Sequence, residues 1–422
     1  AFYKGKGADP GVKSTETDID AADGVDAELI SKLLSNPETV QLLKGVQENG
    51  GVIRIRFRKQ RIRTACPACG TQTDRIHDYH TNVLRDIPIS GKVTRLEYRR
   101  RRYICPRCKK RFSEPFSYAG KHQRTTGRLA LYGLELARER RSGKSIAAEL
   151  GVSPSSVHRW FMYLPSGKPT LLPRVLSIDE YKGNANGERF QCVLTAPDER
   201  RVLDILPDRT TATIQDYLKG FPNRDDVAYF VMDMNRAYRD IARTFFPKAK
   251  IVIDRFHFVR YGVWAFEDVR RRVQKQLSPG KRKYFKRSRK LLLARASRLS
   301  PDDLRAVDVM LACSEDLTRA WLLKEEFFKF VDAPSSQSAK IALEHFRFCA
   351  RGLKLPEFKA CLKMLRNWEQ YILHSFDCPY SNAFTEGVNN AIKSLKRATF
   401  GMPNFHNARV RILHCFCSHP YG

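Results

Sequence analysis

Acid is scarce in this chain: 45 Asp and Glu stand against 76 Lys and Arg in 422 residues, a formal net charge of +31. That imbalance excludes an acidic, cation-storing protein and calls for a polyanionic partner, nucleic acid first. Long apolar runs are missing as well. No uncharged stretch approaches the roughly 20 residues that cross a bilayer, and no signal-peptide pattern opens the chain, so no membrane is expected as partner and a cytosolic protein is. Internal repeats and low-complexity segments are absent, which rules out solenoid and fibrous architectures. Eleven cysteines, an odd number in a large basic chain, fit reduced thiols and metal ligands better than a disulfide framework. What is present is ample apolar material, 42 % of residues, spread over a length that calls for two to four domains.

The chain changes character along its length. Residues 1–50 are Gly-rich and acidic, with Leu and Ile at helical spacing in "DAELISKLLSNPETVQLLKGV", residues 26–46. From residue 51 the chain turns basic and alternates apolar and Arg residues at period 2, as strands do. Residues 123–164 read as helical. Five short apolar strands follow within 173–258, in "RVLSIDEY", "FQCVLTA", "RVLDILP", "VAYFVMDM" and "AKIVIDRFH". Residues 259–376 are helical throughout, and Trp264 and Trp321 within them are expected in the core.

Four cysteines come as two Cys-x-x-Cys knuckles, Cys66 with Cys69 and Cys105 with Cys108, enough thiolates for one tetrahedral Zn²⁺. The 35 residues between the knuckles are long enough for a hairpin, which makes a zinc ribbon. Four Cys leave no open coordination position, so this zinc is structural. The strands between carry Arg95, Arg99, Arg100, Arg101 and Arg102, which a folded ribbon would present to phosphates. Next, "KSIAAELGVSPSSVHRWF", residues 144–161, has the grammar of a helix-turn-helix: Gly151 for a left-handed turn, Ser153 as the cap of a second helix and Pro154 at its first position. Ser155, Ser156, His158 and Arg159 lie early on that helix, where base and phosphate contacts are made. An ordinary αα-hairpin has the same pattern.

Two apolar runs end in a carboxylate, Asp179 in "VLSIDEY" and Asp233 in "YFVMDMN". Singly, each is an unremarkable turn former. Glu386 joins them from "SNAFTEGVNNAIKSLKRATFG", residues 381–401, where a helix would place it on one face with Asn389, Asn390, Lys393 and Arg397. Three carboxylates can hold two hard cations for an in-line displacement at phosphorus, with Lys393, Lys396 and Arg397 on the flanking phosphates. Asp254 and His257 close another strand and are secondary candidates, His257 either meeting the scissile phosphate or acting in proton transfer, or simply hydrogen-bonded at a strand edge.

Taken in order, the knuckles, the helix-turn-helix, "SIDE", "MDM", "DRFH" and "NAFTEGVNNAIKSLKR" resemble the ISL-three family of bacterial insertion-sequence transposases over about residues 66–413. The resemblance implies a multidomain α/β protein: an N-terminal extension (1–50), a zinc-ribbon DNA-binding domain (51–122), a helix-turn-helix domain (123–170), and an RNase H-like mixed-sheet catalytic core (171–258 and 377–422) interrupted by an all-α insertion (259–376). It makes Asp179, Asp233 and Glu386 the catalytic acids and Mg²⁺ ligands, two Mg²⁺ (or Mn²⁺) per site beside one structural Zn²⁺ per chain. The implied activity is metal-dependent cleavage and strand transfer on double-stranded DNA, at transposon ends and target, by a homodimer in the bacterial cytoplasm, associated with the nucleoid. A structure-selective nuclease or resolvase, and a DNA-binding regulator with an inactive core, are the alternatives.

Overall fold

The computed structural model describes residues 41–416 other than Gln60, Phe116–Ser117, Lys121–His122 and Pro165–Ser166. They form two compact units, divided between Tyr163 and Leu164. Most of the helical pattern at 26–46 lies outside the described residues, but its last part is not helical. β1 (Gln41–Asn49) is a strand paired antiparallel with β2 (Val52–Lys59), from Gln41 opposite Lys59 to Asn49 opposite Val52. Gly50 and Gly51, with φ of +57° and +76°, make the tight turn between them. Pairing across the hairpin with β2 outweighs local helical spacing here, and the sheet begins about ten residues earlier than the expected boundary at 50.

β2 sends Ile53, Ile55 and Phe57 inward and Arg54 and Arg56 outward, as its alternation predicts. β3 (Thr64–Ala65) and β4 (Gln72–Thr73) frame the first knuckle. β5 (Ile76–Ile89) and β6 (Lys92–Ile104) are the expected hairpin, and β7 (Arg111–Ser113) pairs with β6. The sheet order is β1-β2-β6-β5 around Ile53, Ile55, Phe57, Leu84, Leu96 and Tyr98. Three helices complete the unit: α1 (Gly127–Arg138), α2 (Gly143–Leu150) and α3 (Pro154–Phe161). Gly151 sits at φ +60° and the Ser153 hydroxyl accepts from the Ser156 amide, so the turn-and-cap reading of 144–161 holds.

One ribbon arginine is not on the surface. Arg101 is buried, ion-paired to Glu114 at 3.1 Å and donating to the Lys59 carbonyl at 2.8 Å, while Tyr98 Oη and the Arg101 amide donate to the same Glu114 carboxylate. The expectation that Arg101 meets phosphate is therefore corrected: β7 and the residues after it cover the strand at that point and bring Glu114 onto it.

In the second unit a five-stranded mixed sheet has the order β10-β9-β8-β11-β12, built from β8 (Val175–Tyr181), β9 (Gln191–Ala196), β10 (Arg201–Leu206), β11 (Tyr229–Met232) and β12 (Lys250–Ile253). β10, β9 and β8 are antiparallel; β8, β11 and β12 are parallel. All five expected strands are present. α4 (Thr211–Lys219) and α5 (Arg236–Phe245) pack their apolar sides with Leu176, Ile178 and Met232 on one face of the sheet. Seven helices follow β12: α6 (Arg255–Gln276), α7 (Pro279–Arg287), α8 (Arg289–Leu293), α9 (Pro301–Leu311), α10 (Glu315–Val331), α11 (Ser336–Leu353) and α12 (Lys359–Asp377). Gly262 lets α6 approach α10, since a Cβ there would stand 2.3 Å from the Phe327 ring. Trp321 is buried as expected; Trp264, two residues round the helix from Gly262, is 52 % exposed. α13 (Ala383–Ala398) and α14 (Phe405–Phe416) cover the other sheet face, Val388, Ile392, Leu395 and Ile412 meeting Tyr181, Val193 and Ile205. Among the described residues no helix is long and apolar enough to cross a membrane.

Truncating Arg101 to Ala leaves a buried carboxylate without its cation. We expect a loss of about 3–5 kcal/mol in the stability of the first unit, measured by urea unfolding, against a change within about 0.5 kcal/mol for the exposed Arg99→Ala.

Candidate active site and zinc site

The four knuckle cysteines converge. Cys66 and Cys108 sulfurs lie 3.6 Å apart, Cys69 and Cys105 3.6 Å, Cys69 and Cys108 3.5 Å, and all four fall within 4.8 Å of one another. Tetrahedral Zn–S bonds of about 2.3 Å set S···S edges near 3.8 Å, so the thiols fit that ion. Each knuckle turns through a left-handed residue just after its second Cys, Gly70 and Lys109, whose amides donate back to the Cys66 and Cys105 carbonyls. The Thr71 hydroxyl and amide hold the Cys69 thiol down to about 6, toward the thiolate a metal requires.

The acidic site arises from strand register. Across the parallel pairs Met232 stands beside Ile178 and beside Ile253. One residue further on, the same register sets Asp179, within β8, beside Asp233 and Asp254, which directly follow β11 and β12, with neighbouring strands about 5 Å apart. Alternation sends Asp179 to the face covered by α13 and its neighbour Glu180 to the other, where Arg209 holds both Glu180 oxygens at 2.8 Å. α13 meets the acids with amides and hydroxyls. Asn389 donates to Asp179 Oδ2 at 2.7 Å, and Asn382 to Asp233 Oδ1 at 3.4 Å. The Ser177 hydroxyl donates to Asn382 Oδ1 at 2.7 Å and accepts from Thr385 at 3.0 Å. His257, on the first turn of α6, places Nδ1 3.0 Å from Asp233 Oδ1.

Burial, together with the charges of the neighbouring acids, pushes Asp179 up to about 6 and Asp233 up to about 7, and raises Asp254. Burial and Arg260 push His257 down to about 4, so the ring is neutral at pH 7 where it lies against Asp233. Three half-buried carboxylates with no Lys or Arg within ion-pair distance among the described residues are the donor set a hard cation takes. The oxygens of Asp233 and Asp254 and a His257 nitrogen also fall within 4.8 Å of one another.

Glu386 stands exposed in the first turn of α13, close enough to Asp254 for its charge to raise it. Asn389 does not share its exposed face: it is buried with Thr385 and Ile392, on the side that touches Asp179. Lys393 and Arg397 are exposed, and Lys396 donates to the Lys182 carbonyl. In the first unit Arg99 is exposed and stacked on Tyr79 at 4.3 Å, and Ser155, His158 and Arg159 are exposed on α3, with Ser156 half-buried and accepting from Arg159. Sequence reasoning missed Ser177, Asn382 and Thr385. Their signal was polar residues at 382, 385 and 389, one helical face, in the segment that carries Glu386.

Two outcomes are expected. Replacing Cys66 by Ser should release the zinc and unfold the ribbon, because metal binding supplies folding free energy to so small a module; metal analysis and near-UV spectra report it. The folded acids hold protons that the unfolded chain releases near pH 4, so their contribution to stability is full below that pH and lost as pH rises toward 7. In chelator, Tm should therefore fall by several degrees from pH 5 to pH 8. Mg²⁺ should restore it most at pH 8, and Asp233→Asn should flatten the dependence.

The description "Transposase" belongs to the ISL3 family model that matches residues 176–412, and a second model, "zinc-finger of transposase IS204/IS1001/IS1096/IS1165", matches residues 62–108. A curated relative, the transposase for insertion sequence element IS1001 of Bordetella parapertussis, is 27 % identical over 353 residues, which covers 80 % of this chain and 84 % of the relative. With a match over more than half its length and the zinc ribbon ahead of it, the chain belongs to the ISL3 family of transposases.

Proposed function

We propose that this protein binds the terminal inverted repeats of an insertion sequence and cuts and joins DNA strands there with divalent cations. The observation that carries the reading is the row of Asp179, Asp233 and Asp254 on adjacent parallel strands, with the first turn of α13 above it. A sheet of order β10-β9-β8-β11-β12, antiparallel on one side and parallel on the other, supports an RNase H-like core, which the helices from Arg255 to Asp377 interrupt as an all-α insertion. Asp179, Asp233 and Glu386 are the catalytic acids in this reading and would hold two Mg²⁺ or Mn²⁺, Asp254 adding a fourth carboxylate. The chemistry such a pair supplies when bound is charge stabilisation at both the attacking and the leaving oxygen of an in-line displacement.

The chain's own residues do the rest. Asn389 and Asn382 orient Asp179 and Asp233, and the neutral His257, its Nδ1 3.0 Å from Asp233, would offer a ring nitrogen as an acceptor toward the reacting hydroxyl. Lys393 and Arg397 hold flanking phosphates. The ribbon and the helix-turn-helix supply end recognition, with α3 in the major groove. Two ends must be joined, so a homodimer is the working form, in the bacterial cytoplasm at the nucleoid.

The test is Mg²⁺-dependent nicking and joining of labelled element ends beside a binding titration on the same DNA. Asp179→Asn, Asp233→Asn and Glu386→Gln should each lose at least about a hundredfold in cleavage while binding holds, and a double variant should be little worse than a single one. Full activity in Glu386→Gln would remove that residue and leave Asp254 as third ligand. Nicking without joining would favour a nuclease or resolvase, and a parent protein that binds ends without cutting would be a regulator.

A further inference from the structure

Where the ribbon hairpin meets the helix-turn-helix, the first unit has a cleft of about 310 Å³ lined by Arg85, Arg95, Arg124, Thr125, Ser153 and Ser156. Its charge is unbalanced. Arg85 on β5 and Arg95 on β6 are directly opposite each other in the antiparallel ladder, a like-charge pair that costs stability unless an anion lies between or over the two guanidiniums. No carboxylate among the described residues pairs with Arg85, Arg95 or Arg124, although Arg56, Arg102 and Arg128 nearby each have an acidic partner. Burial and the Arg95 charge together hold Arg85 below the usual arginine range.

The cleft is also built and not accidental to a loose loop. The Arg85 amide donates to the Arg124 carbonyl and the Thr126 amide to the Arg85 carbonyl, which ties the segment bearing Arg124 to β5. Gly151 suits the place on two counts: its backbone is left-handed, and a Cβ would come within 2.9 Å of both Val93 Cγ2 and Arg85 Nη1. The Ser153 and Ser156 hydroxyls lie at the start of α3, whose amide end favours negative charge. Two or three guanidiniums, hydroxyls and a helix start converging without an acid are the donor set of a phosphodiester.

We propose that this cleft clamps one backbone phosphate of duplex DNA and so sets the height and angle at which α3 enters the major groove. The ribbon and the helix-turn-helix then act as one reading head, the ribbon strands supplying the anchor and α3 the sequence contacts. The proposal rests on the DNA-binding reading above and adds to it the site where the backbone is gripped.

The experiment is a set of binding titrations, element end and unrelated duplex of equal length, at several NaCl concentrations, with the full chain and with Arg85→Gln/Arg95→Gln. Loss of one neutralised phosphate should make the slope of log K against log salt shallower by about 0.9. Affinity should fall by a similar factor on both duplexes, because a phosphate contact carries no sequence information. Tm of the variant should stay level or rise, since a repulsive pair has gone. An unchanged slope and affinity overturns the cleft, and so does weaker binding that comes with a lower Tm, which would make the arginines structural. A loss confined to the element end overturns it in favour of base readout. A parent protein that binds neither duplex overturns both this proposal and the function it rests on.

Discussion

Three aspartates held at the same level on adjacent parallel strands form an arrangement that repels itself, and much of the second unit is organised around holding it. The parallel register leaves Asp179, Asp233 and Asp254 no freedom to separate, since each is fixed by a ladder whose preceding residues are buried apolar side chains. Water cannot fully solvate them, so the protonated form gains on the charged one. α13 answers with neutral donors instead of cations: Asn389 and Asn382 reach the carboxylates, and Ser177 and Thr385 hold Asn382 in turn. A Lys or Arg at those places would stabilise the acids but would fill the positions a divalent ion needs.

Burial also decides what the arginines of the first unit can do. Arg101 is spent on Glu114 inside the ribbon, where the pair and its hydrogen bonds lock β6 to the chain after β7. Arg102 leans on Asp78 and Arg99 on the Tyr79 ring. Arg85 and Arg95 stand opposite each other in the ladder, a like-charge placement that costs stability. A run that reads as a uniform cationic stripe is thus divided by the fold into a structural cation, screened ones and unsatisfied ones.

The short-range grammar of the sequence was sufficient wherever the answer is local. Two Cys-x-x-Cys turns, the Gly151, Ser153 and Pro154 signals of the helix-turn-helix, and the five apolar strand runs each depend on a few neighbouring residues, and each is found in the structure. Asp179 and Asp233 were legible for the same reason, as carboxylates at the ends of apolar runs. Tertiary pairing decided the rest. Arg101 went inside because Glu114 came to it, and Trp264 stayed out because Gly262 and Phe327 took the helix contact. Asp254 and His257 were legible as candidates at a strand end, but that they stand beside Asp233 is decided by the parallel register of β12 on β11. Side-chain type and turn chemistry are properties of a few consecutive residues, whereas neighbours across a sheet or between packed helices are set by contacts between segments far apart in the chain.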